Sequence, residues 1–151
     1  MSEPTYTAPD YPDVAALRPF ELAFPGPLRD ALVAAVLSGA KTTTTGLLAD
    51  YEHAGDPLPQ PGGRSAVIDS AGRAVAVIET TDVRVVPLAD VDLQHAIDEG
   101  EGYATVAHWR STHERFWRSP EMLAALGDPG FTVDDRTPVV LERFRMLTAF
   151  R

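Results

Sequence analysis

Cysteine is absent from the 151 residues, which rules out disulfides and thiolate metal sites and fits a reducing cytoplasm. Positive charge is scarce as well: 13 Lys and Arg stand against 22 Asp and Glu, a net charge of -9. A protein that grips a long duplex through its phosphates displaces counterions with a basic field. This chain carries the opposite field, so long-duplex DNA is not an expected partner. No apolar run is long enough to span a bilayer, so no membrane partner is expected either. Residues 1–12 have neither a basic start nor an apolar stretch and do not read as a secretory leader. Residues 1–19 are expected to be a flexible tail ahead of a single domain over 20–151. Rarest of all is lysine. Lys41 is the sole one, and every other basic side chain is arginine. Arginine stays protonated at working pH, whereas a lysine amine can lose its proton when desolvated, or act as a compact point charge.

What is present is ordinary in bulk: 44% hydrophobic and 23% charged residues, enough for one core. Pro27 is placed to start a helix whose stripe is Leu28, Leu32 and Val36, and Gly39 to end it. Lys41 and four threonines follow, and threonine favours extended backbone. Residues 50–63 are rich in Pro and Gly and read as a long loop. Arg64 to Asp69, a turn at residues 70–73, and Ala74 to Val86 read as a hairpin ended by Pro87. Glu79 and Thr81 interrupt its apolar face and predict a bulge. Asp90 or Asp92 can cap a short helix stopped at Gly100, and a second helix is expected from about Tyr103 to Trp117. One helical turn at Met122 to Leu126 and a strand from Val139 to Leu147 complete the chain. The pattern predicts an α+β fold, a small mixed or antiparallel β-barrel with helices packed around it.

Besides Lys41 and its threonines, two stretches carry candidate chemistry. Asp98, Glu99 and Glu101 fall at a helix C-terminus, where the macrodipole disfavours carboxylates and like charges raise one another's proton affinity. A stability-driven sequence would place Lys or Arg there, so the cluster points to a cationic partner or an acid/base role. A solvated acidic turn is the competing reading. In Trp109-Arg110-Ser111-Thr112-His113 the aromatics and arginine suit base stacking and phosphate contact. Trp109 and His113 also fall on the apolar stripe of the helix and compete as core residues. Thr42, Thr43, Tyr51, Glu101, Trp109, Arg110, Ser111 and His113 are the candidate ligand contacts. A phosphate-binding loop is excluded, because Ala40 interrupts Gly-Lys-Thr and a helix precedes it where a strand is needed. His53, His95, His108 and His113 show no paired ligand spacing, so neither metal nor cofactor is expected, with magnesium on the carboxylates as the alternative.

Taken together, Gly39-Ala40-Lys41-Thr42-Thr43-Thr44, Ile78-Glu79-Thr80-Thr81-Asp82-Val83, Ala96 to Gly102 leading into Trp109 to His113, and the Phe144 strand resemble an ASCH domain of the PUA-like superfamily. The resemblance spans Phe24 to Leu147. It implies a small barrel with a cleft at one side that recognises short RNA, a nucleotide or a modified nucleoside. Some similar small bacterial members are amidohydrolases acting on N4-acetylcytidine, and others are ribonucleases. The amidohydrolase pattern carries over onto Lys41, Thr44 and Glu99 as catalytic residues. Strict strand alternation puts Lys41 with Thr43 and Thr45, so a Lys41–Thr44 pairing requires a turn or bulge. Three readings follow: a binding module, a hydrolase of an amide or phosphodiester, and a structural protein whose cleft is vestigial.

Overall fold

The computed structural model describes residues 14–150. After a 3-10 turn at Val14–Ala16, the elements run β1 (Arg18–Phe20), α1 (Pro27–Ser38), β2 (Thr43–Leu47), α2 (Leu48–Ala54), β3 (Arg64–Ile68), β4 (Ala74–Pro87), a second 3-10 turn at Leu88–Asp90, α3 (Leu93–Asp98), α4 (Val106–Trp117), α5 (Pro120–Leu126) and β5 (Pro138–Ala149). The five strands form one sheet in the order β1-β3-β4-β5-β2. β1 runs parallel to β3, and the other neighbours are antiparallel. β1 and β2 are therefore edge strands, and the sheet stays open where a closed barrel is expected from the sequence.

Local chemistry explains most of the boundaries. Pro27 occupies the first turn of α1, and Gly39 ends it in a left-handed conformation with its N–H on the Val36 carbonyl. Asp92 caps α3 and Thr105 caps α4 through their side chains. The expected interruption of β4 is real, since its register against β5 shifts between Thr80 and Asp82.

Two boundaries differ from expectation. Residues 50–54, expected as loop, belong to α2, because the helix breakers begin only at Gly55, which caps it. The expected tail to residue 19 lies partly outside the described residues. Within them Val14 is buried at 3% exposure and Arg18 to Phe20 pair with β3, so ordered structure begins before residue 20.

The sheet separates two cores. Leu47, Val139 and Leu141 pack against Ala96, Trp109, Trp117, Met122 and Leu126 of α3, α4 and α5. Val67, Ala76, Ile78 and Phe144 pack against Leu32, Val33 and Val36 of α1. A hollow lies beside the β2 edge, walled by α1 and α4.

Candidate functional site

The chain between α1 and β2 is held rigidly. The Lys41 N–H donates to the Ala35 carbonyl at 3.0 Å, and the Thr42 N–H donates to the Asp98 carbonyl at 2.8 Å. This second bond ties the start of β2 to the end of α3. Gly100 sits directly on the Ala40–Lys41 backbone. A Cβ there would come within 2.5 Å of the Ala40 carbonyl oxygen, and its φ of +73° is one that glycine adopts freely. The acidic turn and Lys41 therefore meet because residue 100 has no side chain.

Lys41 is 2% exposed. Its Nζ lies 3.4 Å from Glu99 Oε1, 3.4 Å from the Glu99 carbonyl and 3.9 Å from Glu101 Oε2. Glu99, at 1% exposure, accepts from four side chains. Oε1 takes Lys41 and His113 Nε2 at 3.2 Å, while Oε2 takes the Thr45 hydroxyl at 3.0 Å and the Trp109 indole N–H. A carboxylate offers about four lone-pair directions, so these donors fill it. Burial pushes the Glu99 carboxyl up, but the His113 hydrogen bond, the Lys41 charge and the Trp109 N–H outweigh it and hold the group at about 2.

The two histidines differ in tautomer. His113 Nδ1 faces the Trp109 carbonyl at 2.8 Å, which can only accept, so Nδ1 carries a hydrogen. Its Nε2 lies 3.2 Å from Glu99 Oε1. His95 Nε2 lies 2.7 Å from Thr45 Oγ1, whose own hydrogen points to Glu99, so Nε2 is the donor there. Burial pushes His95 down to about 4, against the pull of Glu99 and Asp92, and it is neutral.

Glu101 is the less encumbered acid. Its side chain is 22% exposed, and burial raises its proton affinity while Lys41 lowers it. Lys41, Glu99, Glu101 and His113 line a hollow of about 110 Å³ together with Thr44, Thr45, Tyr103, Thr112 and apolar residues of α1. A larger hollow of about 600 Å³ adjoins it, sharing Leu22, Thr44, Thr45, Phe116 and Trp117. Residues of both edge strands, β1 and β2, line the larger one, so it occupies the gap where the sheet does not close. Glu99, Glu101 and His113 also present ligand atoms within 4.8 Å of one another. The four donors already on Glu99 leave a cation little to bind there.

The expected residues thus divide. Lys41, Glu99, Glu101, Thr44 and His113 converge on the smaller hollow, and Tyr51 lines the larger. Trp109 is fully buried and serves the site through its indole N–H. Thr42 and Thr43 bond the carbonyls of Asp98 and His95 and tie β2 to α3 without lining either hollow. Arg110 pairs with Glu114 and Asp135, and exposed Ser111 lines neither hollow. Thr45, rather than Thr44, joins the Glu99 cluster, as plain strand alternation from Thr43 permits. His95, Tyr103 and Thr112 were not marked by sequence. The i, i+4 spacing of His95 and Glu99 was the one signal available.

The ASCH-domain family model matches residues 21–148. The chain belongs to the ASCH-domain family. Solved structures with the same fold include a protein from Enterococcus faecalis, 25% identical with a TM-score of 0.73, covering 86% of this chain and 76% of that one. An ASCH domain from Lactobacillus crispatus is 24% identical with a TM-score of 0.72, covering 86% of this chain and 79% of that one. An ASCH protein from Zymomonas mobilis is more distant, at 11% identity and a TM-score of 0.50 over 89% of this chain and 71% of that one. No curated protein matches the chain. This ASCH domain keeps an open five-stranded sheet, with Lys41 and the Glu99–Gly100–Glu101 turn at one edge.

Proposed function

We propose that this ASCH domain binds a nucleoside-sized ligand, either free, phosphorylated or as part of a short RNA, in the hollow walled by Lys41 and the Glu99–Gly100–Glu101 turn. One observation carries the reading: the chain's sole lysine is buried between two carboxylates at the wall of a cavity. Stability alone gives little reason for this, because burying the ions costs about as much as their attraction returns. A charge held ready there instead serves a ligand. The net charge of -9 and the pairing of Arg110 with Asp135 favour a small ligand over a long polyanion.

Hydrolysis is the second reading, favoured by the Thr44 side chain on the same wall as Lys41 and Glu101. In it the Thr44 hydroxyl adds to an amide carbonyl carbon and passes its proton to Glu101. The Lys41 ammonium stabilises the oxyanion. Collapse breaks the C–N bond, the amine leaves with the proton from Glu101, and water then cleaves the acyl ester. Glu99, its acceptor sites filled, holds Lys41 in place.

The test is a panel of cytidine, N4-acetylcytidine, cytidine monophosphate and a short RNA, read by thermal shift and by product formation. At least one member should raise the Tm, and Lys41→Arg should abolish that shift while keeping a cooperative unfolding transition. A panel that leaves the Tm unmoved, or an unchanged shift in Lys41→Arg, rejects binding at this hollow. Loss of N4-acetylcytidine turnover in Thr44→Val with binding retained supports the hydrolase reading, and retained turnover rejects it.

A further inference from the structure

The smaller hollow holds the reactive groups but has room for little more than a functional group. Ligand sites for small molecules usually measure about 300–1,000 Å³. The adjoining hollow of about 600 Å³ falls in that range, and nothing in the Lys41 chemistry uses it. At its wall stands Glu142, in the interior of β5 and 4% exposed. Glu142 is paired across the strands with Thr44, so the two side chains lie on one face of the sheet. Oε2 accepts the Thr80 hydroxyl at 2.7 Å from the neighbouring strand β4. Oε1 has no hydrogen-bond partner among the described residues, and it is not sealed off as a buried orphan. A buried carboxylate with one oxygen left open to a cavity is costly unless something fills that cavity and bonds to it.

The surroundings narrow the occupant. Tyr51 lies over Gly46, where a Cβ would come within 3.2 Å of its ring, and Phe24 and Phe116 face each other at 5.8 Å. These aromatics line the hollow and suit a flat ring. The charged residues along it are Arg18 and Arg29 against Glu21, Asp50, Asp56 and Glu142. Arg29 is already committed to the Leu22 and Ala23 carbonyls. Acids prevail, so an uncharged ring is favoured over a phosphate.

We propose that the larger hollow is the ring subsite of the ligand, with Glu142 Oε1 accepting a hydrogen bond from an amino group on an uncharged heteroaromatic ring. This rests on the reading of the smaller hollow as the ligand's reactive end, and it makes Glu142 the residue that sets ring specificity. Burial raises the proton affinity of Glu142, opposed in part by the Thr80 hydrogen bond and the Arg18 charge.

Cytidine and uridine separate the outcomes, since one presents an amino group where the other presents a carbonyl. Titration calorimetry should show the wild-type protein preferring cytidine. Glu142→Gln keeps an oxygen for Thr80 and turns a donor into the hollow. It should lower the cytidine-to-uridine affinity ratio by about tenfold or more. Equal binding of the two by the wild type, binding of neither, or an unchanged ratio in a folded Glu142→Gln overturns the proposal. If Glu142→Gln fails to unfold cooperatively, Tyr51→Leu decides, because removing the ring wall must weaken cytidine binding severalfold, and unchanged affinity overturns the subsite. A thermal shift lost in Lys41→Arg with a ratio unchanged by Glu142→Gln rejects the ring subsite alone, and a shift kept in Lys41→Arg with a Glu142-dependent ratio rejects the Lys41 hollow alone.

Discussion

Glu99 holds four donors on one buried carboxylate, and its neighbour His95 is held neutral, so the site is tuned by protons. Glu99 is held at about 2 against an ordinary 4.5, so its contribution is complete above pH 4.5 and is lost as the pH falls from there towards 2. His95 is held at about 4 against 6.5; the unfolded chain takes up its proton first, and stability falls as the pH drops from 6.5 to 4. Each effect is on the order of 3 kcal/mol. Glu101 and Glu142, both raised by burial, act in the opposite sense and contribute most at low pH. The Tm measured by circular dichroism should therefore fall between pH 7 and pH 4. His95→Gln, which keeps a donor for Thr45 but cannot titrate, should flatten that slope. A slope unchanged in His95→Gln would remove His95 from the explanation. Lys41 and the acidic turn were legible at this scale because their composition is anomalous. Thr45 and Glu142 were not, since a threonine among four and a glutamate in a strand look like surface residues until partners are placed around them.

At the scale of elements, the meeting of the α1–β2 connection with the turn after α3 is the critical joint. Gly100 and Gly102 both have positive φ, but only Gly100 has a backbone neighbour where a side chain would go. Gly102→Ala should cost about 1–2 kcal/mol for the left-handed backbone alone. Gly100→Ala adds a clash with the Ala40 carbonyl, and should cost clearly more and weaken any ligand response that depends on Lys41. Chemical denaturation of both variants checks this; equal midpoints would mean that the joint yields easily. Helices α1, α3 and α4 and the bulged β4 were readable from caps, glycines and periodicity, which act locally. The helix α2 was hidden because residues 48–54 precede a stretch of Pro and Gly that dominates any reading of the region. Its Tyr51 packs over Gly46, a contact that holds it against β2.

For the whole molecule, the acidic field and the openness of the sheet act together. With a net charge of -9 and Arg110 held by Glu114 and Asp135, the proposed ligand is expected to gain little from phosphate contacts. Affinity for cytidine should change less than about twofold between 50 and 200 mM salt. Arg110→Ala should leave that affinity unchanged, as measured by calorimetry. A steep salt dependence, or a large loss in Arg110→Ala, would instead indicate a polyanionic ligand reaching beyond the hollows.

By itself the sequence determined what depends on neighbours along the chain: helix ends, the hairpin, the bulge, the sign of the field and the anomaly of Lys41. Propensity, capping and charge act within a few residues and are written there. Only the tertiary structure decided that the sheet stays open, that four donors converge on Glu99, and that Glu142 faces a cavity. Those facts join residues far apart in the chain, 62 positions for Thr80 and Glu142. Their partners are chosen by strand order and packing, which no local pattern specifies.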